Sequence, residues 1–327
     1  MMIGPIFDSN TMSGYHLVEH AGEMKHRIYF KQVGNKNARH RILFSMGLGG
    51  DHLQWEPQVH FFAEQRDDFQ VCVYDNRGIG FSDPVDGRWT TKLMARDALS
   101  LLDHLNWTSE IHVVGLSMGG MITQELALLD FKRFASMTLV STHSGGLHSL
   151  LMTLRNVPVG LKTLATTFLS SDPNERLKSG LKLLYPEEFL DKQTYNEEKG
   201  EHEHNFRKFR RALIKRGMEG KELGMPSIPF STVFKQALAV TSHRVSYDSL
   251  AKLGQHFGPG SLVITGGSDI LVHHDCSKVL KKGLNAKLIV LDDAGHGANE
   301  QHAETVNNAI LEAVIQGQKF YQHPSRL

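Results

Sequence analysis

The stretch Ile111-His112-Val113-Val114-Gly115-Leu116-Ser117-Met118-Gly119-Gly120, continuing Met121-Ile122-Thr123-Gln124-Glu125-Leu126-Ala127, decides how the rest of the chain reads. A short β-rich apolar run enters a Gly-x-Ser-x-Gly, and helical periodicity follows at once. Strand, sharp turn and helix in that order push one serine hydroxyl out above a sheet, with the first turn of a helix behind it. Gly115 and Gly119 lack side chains where strand and helix must approach each other. Ser117 is expected in a strained backbone conformation. The pattern makes Ser117 a candidate nucleophile.

The flanking sequence alternates in the same way. His26 to Gly34 reads as an alternating strand, and Arg41 to Ser45 as a short continuous apolar strand of the kind buried on both faces of a parallel sheet. Phe69–Tyr74, Phe134–Ser141, Ser261–Thr265 and Lys287–Leu291 read as further strands. Helical spacing marks Trp55–Glu64, the amphipathic segment 91–105, Tyr247–Leu253, Asp275–Lys281 and Ala303–Gln316. Strand–helix alternation predicts an α/β fold with a doubly wound, mostly parallel sheet. Between residues 142 and 244 the alternation stops, leaving helical and irregular segments and no convincing strand. The expected organisation is therefore a core in two parts, 1–141 and 245–327, with 142–244 inserted between them. Residues 1–24 read as a polar arm, and the last residues as a tail.

Composition narrows the class. With 327 residues the chain can bury a large core. Apolar residues at 40% and charged residues at 22% are ordinary for a globular protein, and a net charge of +1 gives no case for nucleic acid binding. Cys72 and Cys276 are the only cysteines, expected as free thiols. No basic region followed by an apolar run opens the sequence, and no stretch is long enough to span a bilayer, so a soluble chain without a classical secretory signal is expected.

A serine hydroxyl is a poor nucleophile at neutral pH and needs a histidine base, which in turn needs an orienting carboxylate. Both belong in loops at the C-terminal ends of later strands. Thr265-Gly266-Gly267-Ser268-Asp269 follows one strand, and Leu291-Asp292-Asp293-Ala294-Gly295-His296-Gly297 follows the next. The order Ser117, Asp269, His296 is then serine, acid, histidine. Asp292 and Asp293 precede His296 too closely to place a carboxylate behind its ring, and Thr142 to Gly146 contains no acid. His143, His273, His274 and His302 read as surface or core residues. His202, Glu203 and His204 lack further ligands at metal spacing, and read as a solvated surface.

With Asp75-Asn76-Arg77-Gly78-Ile79-Gly80-Phe81-Ser82 ahead of the elbow, the chain resembles the α/β-hydrolase superfamily, in the branch carrying Asp-x-Arg-Gly-x-Gly-x-Ser. The resemblance covers about 26–141 and 245–316. It implies Ser117 as nucleophile, His296 as base, Asp269 as orienting acid, and the insertion as a helical lid. An oxyanion hole needs preorganised backbone N–H donors. Met118, the residue after the nucleophile, is one candidate; the second comes from the loop after Arg41–Ser45, with Leu48 preferred to Gly47. Many relatives have His-Gly in that loop where this chain has Met46-Gly47, which removes a polar side chain there. Asp75 and Arg77 are expected to brace their turn through an ion pair or backbone hydrogen bonds.

The activity so implied is hydrolysis of a small-molecule carboxylic ester through an acyl-enzyme, of lipase or esterase type, with no metal or organic cofactor. A serine at the elbow argues against the epoxide hydrolase and haloalkane dehalogenase relatives, which use aspartate there. Thioesterase, lactonase and C–C-bond hydrolase chemistry remain open on the same triad. So do a slow-turnover small-molecule receptor and a cofactor-free oxygenase or perhydrolase activity. Two further features point to partners. The terminal Ser325-Arg326-Leu327 resembles a peroxisomal address of the Ser-Lys-Leu type, read by an import receptor. In segment 206–216, Phe206, Phe209 and Leu213 share a helical face amid six basic residues, which allows either contact with an anionic lipid surface or packing of that face onto the domain.

Overall fold

The computed structural model describes residues 10–146, 149, 157–196 and 200–323. The Ser325-Arg326-Leu327 tripeptide lies outside them. A sheet of eight strands runs in the order β1-β2-β4-β3-β5-β6-β9-β10. Its strands are β1 Thr11–Val18, β2 His26–Gly34, β3 His40–Ser45, β4 Phe69–Tyr74, β5 Ile111–Leu116, β6 Phe134–Val140, β9 Ser261–Gly266 and β10 Lys287–Leu291. From β4 through β10 all neighbours pair parallel; β1 and β2 close one edge antiparallel.

Successive residues of the inner strands serve opposite faces, as the pleat requires. Leu43, Cys72, Val113, Leu139 and Val263 pack against the helices Thr91–His104, Met118–Leu129, Tyr247–Phe257 and Asp275–Leu284. Ile42, Phe44, Val71, Val73, Val114, Val140 and Ile264 face Trp55, Phe62 and the helix Ala303–Gln322. Both faces are covered, so these strands are mostly apolar, with buried polar exceptions such as His112 and Ser136, which bond each other, and each fully buried Val, Leu or Ile contributes about 1.5–3 kcal/mol. The sheet is thereby a rigid platform whose C-terminal edge carries the loops of interest.

Two expectations are corrected here. Residues 11–18, read as part of an arm, form β1, which pairs in register with β2. Most of its side chains are exposed, and an edge strand wet on both faces carries little apolar signal. The insertion, read without strands, holds a short antiparallel hairpin, β7 Gln193–Asn196 with β8 Glu201–His204. Its sequence is almost entirely polar, so its pairing rests on backbone hydrogen bonds and leaves no apolar alternation to read.

The described helices of the inserted segment are Val157–Leu169, Pro173–Leu184, Glu187–Asp191, Asn205–Glu222 and Phe230–Ser242. On Asn205–Glu222 the apolar residues Phe206, Phe209 and Leu213 pack on Leu181, Tyr185 and Leu190. That face thus packs within the inserted segment. Glu203 binds Arg211 through both carboxylate oxygens, and His204 Nδ1 meets the Asp191 carbonyl at 2.7 Å. No described helix is long and apolar enough to cross a membrane.

Candidate active site

Ser117 stands at the end of β5, immediately before the helix Met118–Leu129, with φ 55° and ψ −121°. A side chain in that region costs of order 1–3 kcal/mol and persists only where the surroundings impose it. Here they do. The Ser117 N–H donates to Val140 O at 2.9 Å, and Thr142 Oγ1 and the Gly120 N–H both donate to the Ser117 carbonyl. The helix also lies against β3 so closely that a Cβ on Gly119 would fall 1.9 Å from Ser45 O. A glycine there is what permits the turn.

Asp269 and His296 sit on the loops after β9 and β10, on the same edge of the sheet. His296 Nδ1 donates to Asp269 Oδ2 at 2.8 Å, and both side chains are buried. The other carboxylate oxygen accepts the N–H groups of Leu271 and Val272 at 2.8 and 2.9 Å. Those bonds fix the carboxylate plane, which in turn fixes the tautomer and orientation of the ring. The two loops are stitched together: Gly267 N donates to Leu291 O and Ser268 N to Ala294 O. Asp292 and Asp293 belong to the same turn as His296 and do not take the place of Asp269.

The loop after β3 reaches Ser117. A Cβ built on Gly47 would lie 3.1 Å from Ser117 Cβ and 3.6 Å from Ser117 Oγ. Gly50 N donates to Gly47 O, which turns the N–H of the planar Gly47–Leu48 peptide the opposite way. Among the described residues no acceptor meets the N–H of Leu48 or of Met118. Met46 is buried in the core, and its carbonyl accepts from Asn76 Nδ2 at 3.0 Å. The side chain of Asn76 thus supports the loop.

Asp75 and Arg77 do not pair with each other. Asp75 accepts from His52 N and Nδ1 at 2.8 and 2.9 Å and from Phe81 N at 3.0 Å. The Arg77 guanidinium forks onto both oxygens of Asp97 at 2.7 Å. Two bonds from the buried Arg77 guanidinium, one from His20 and the His26 ring 3.5 Å away overcome the effect of burial and hold the Asp97 carboxyl far below the usual range. The turn is braced by two separate acids. His143 is a core residue: burial pushes its pKa down to about 4, and its Nδ1 accepts from Gly145 N. His273 and His274 lie beside Asp275, whose carboxylate is taken by Lys278 at 2.6 Å, and His302 meets Asp293 at 2.9 Å.

The inserted segment touches the loops after β3 and β10 at points that no motif announces. Gly297 N donates to Leu184 O at 2.9 Å, and Gly49 N to Gln236 Oε1 at 2.8 Å. Arg216 grips Glu300, which also accepts from the Tyr185 hydroxyl at 2.5 Å. Burial, and then the Glu300 carboxylate, push the Tyr185 phenol well above its usual range.

Known proteins share stretches of this sequence and its fold. Over 111 residues the chain is 35% identical to 3-oxoadipate enol-lactonase 1 of Acinetobacter baylyi, a match covering 34% of this chain and only 40% of that protein. It is 25% identical over 284 residues to the "Putative carbamate hydrolase RutD" of Agrobacterium fabrum, covering 84% of this chain and 92% of that one. Among solved structures, a thermophilic esterase from Thermogutta terrifontis superposes with a TM-score of 0.66 at 22% identity, over 94% of this chain and 99% of the esterase. The family model for the α/β hydrolase fold matches residues 41–303, from β3 to beyond His296, and the chain belongs to that family.

Proposed function

We propose that the protein is a serine hydrolase that cleaves a carboxylic ester through an acyl-enzyme on Ser117. The observation that carries this is the buried His296–Asp269 hydrogen bond, placed on the sheet edge where the strained elbow presents Ser117. Ser117 Oγ attacks the carbonyl carbon while His296 Nε2 takes its proton. Asp269 holds the ring and stabilises the imidazolium. The developing oxyanion meets the Met118 and Leu48 N–H groups, the former at a helix N-terminus. His296 then protonates the leaving alkoxide, and water, deprotonated by the same imidazole, releases the acid. The inserted segment serves as the lid, a reading supported by its bonds to Gly297 and Gly49.

Likeness to an enol-lactonase favours a second substrate, a lactone. The chemistry is unchanged, because a lactone is a cyclic ester and its alkoxide stays tethered to the acyl group.

The test is fluorophosphonate labelling beside turnover of a p-nitrophenyl ester series and of small lactones. Labelling and turnover are expected in the wild type and absent in Ser117→Ala. Asp269→Asn keeps an oxygen for one set of contacts but loses the carboxylate, and a fall in kcat of roughly 10⁴ is expected. Turnover that survives Ser117→Ala refutes the reading. Labelling without repeated turnover points to the receptor alternative.

A further inference from the structure

Gln236 lies on the helix Phe230–Ser242 and has no solvent exposure. Its Oε1 accepts the Gly49 N–H at 2.8 Å, across 187 residues of sequence. Its Nε2 is also buried and has no hydrogen-bond partner. An unmet buried donor is a net penalty that an apolar side chain of the same size would not carry. The residue therefore does not optimise packing, and its one bond goes to the loop that faces Ser117.

That loop has few other anchors. Gly50 N to Gly47 O sets one peptide, and Asn76 holds the Met46 carbonyl. The peptide between Leu48 and Gly49 is set by Gln236, and Gly49 itself has φ 70°, a region open to many glycine conformations. Rotation of this peptide would swing the Leu48 backbone, whose N–H is the donor assigned to the oxyanion.

We infer that Gln236 is a positioning residue for the oxyanion hole, so that docking of the inserted segment completes the hole as well as covering it. The inference rests on the serine hydrolase reading. A lid helix that lifts away would carry Gln236 with it and release Gly49. Hydrolytic competence is then tied to the closed arrangement, and ester in bulk solution meets an incomplete hole until the helix seats.

The test uses the full-length protein with Gln236→Leu, which removes the acceptor; Gln236→Asn, which withdraws it by one methylene; and Gln236→Glu, which keeps an acceptor at full reach. Kinetics on p-nitrophenyl butyrate and the rate of fluorophosphonate labelling are measured, with Ser117→Ala as control. Leu and Asn are expected to lower kcat and the labelling rate by about tenfold to a hundredfold with KM within about twofold, the size of effect that small misplacements produce. Glu is expected to restore most of both. Wild-type kcat in the Leu variant, a loss confined to KM, or failure of Glu to rescue overturns the inference. Should the Leu variant not fold, the Asn variant decides alone. Loss of activity in Ser117→Ala with wild-type kcat in the Gln236 variants rejects this inference and leaves the hydrolase reading standing; turnover by Ser117→Ala rejects that reading itself.

Discussion

Arg216 holds both carboxylate oxygens of Glu300 at 2.6 and 3.0 Å, and Glu300 lies four residues beyond His296. The pair joins the helix Asn205–Glu222 of the inserted segment to the short helix Ala298–Gln301. Gln301 of that short helix accepts from Gly295 N and donates to Asp293 O, gripping the His296 loop from its other side. Burial draws the Arg216 pKa down, but the Glu300 carboxylate more than reverses this, so the guanidinium stays charged.

Arg216 and Glu300 are mostly shielded from water, and breaking one partner of such a pair costs more than the pair contributes, because the other charge is stranded. Arg216→Met is expected to destabilise the protein by about 3 kcal/mol. Adding Glu300→Gln should recover part of that, since the stranded carboxylate is then removed. Urea unfolding of the two single variants and the double variant checks this; purely additive losses would show that the pair is not coupled. A several-fold fall in kcat is expected alongside, because the His296 loop loses its brace.

Two glycines of the site should answer to substitution in opposite ways. A methyl on Gly47 meets Ser117 Cβ at 3.1 Å and Leu116 O at 3.3 Å, contacts that a small shift relieves. Gly47→Ala should fold with little loss yet cut kcat by about tenfold to a hundredfold by crowding the nucleophile. A methyl on Gly119 would fall 1.9 Å from Ser45 O, which no side-chain adjustment relieves. Gly119→Ala should cost upwards of about 4 kcal/mol or fail to fold. Thermal melting with kcat separates the two, and a stable, active Gly119→Ala would mean that the elbow is looser than described.

Acid should weaken the fold well above the carboxylate range. Burial pushes His243 down to about 3, with His143 adding to it, and His143 and His112 down to about 4 and about 3. These rings stay neutral when folded, whereas the unfolded chain protonates them near pH 6.5, so stability falls as pH drops below that value. Each contributes a slope of about 1.4 kcal/mol per pH unit until its folded pKa is reached. His26 works the other way: burial lowers its pKa, but the Asp97 carboxylate 3.5 Å away and the bond to the Met24 carbonyl more than reverse this, so it adds stability as it protonates. Urea unfolding at pH 7.5, 6.5 and 5.5 should show the decline, with His243→Gln flattening it by one histidine's share. A pH-independent unfolding free energy over this range would contradict the assignment.

The elbow, the strand–helix alternation and the order Ser117, Asp269, His296 are legible in the sequence for a local reason. Gly115 and Gly119 are needed within one turn of Ser117, and strands covered on both faces read as near-continuous apolar runs. Asp269 and His296 are found because each lies just past a short apolar run. Nothing local marks β1 or the hairpin Gln193–His204, where exposed strands show no apolar face. Nor does anything mark Gln236, Arg216 or Glu300, whose partners lie 187 and 84 residues away in the chain. Pattern and turn chemistry act over a few residues, and they determined the sheet and its candidate nucleophile, base and acid. Which polar side chains of the insertion close onto that edge was decided only in three dimensions, because a buried hydrogen bond is specified by the packing that brings donor and acceptor together.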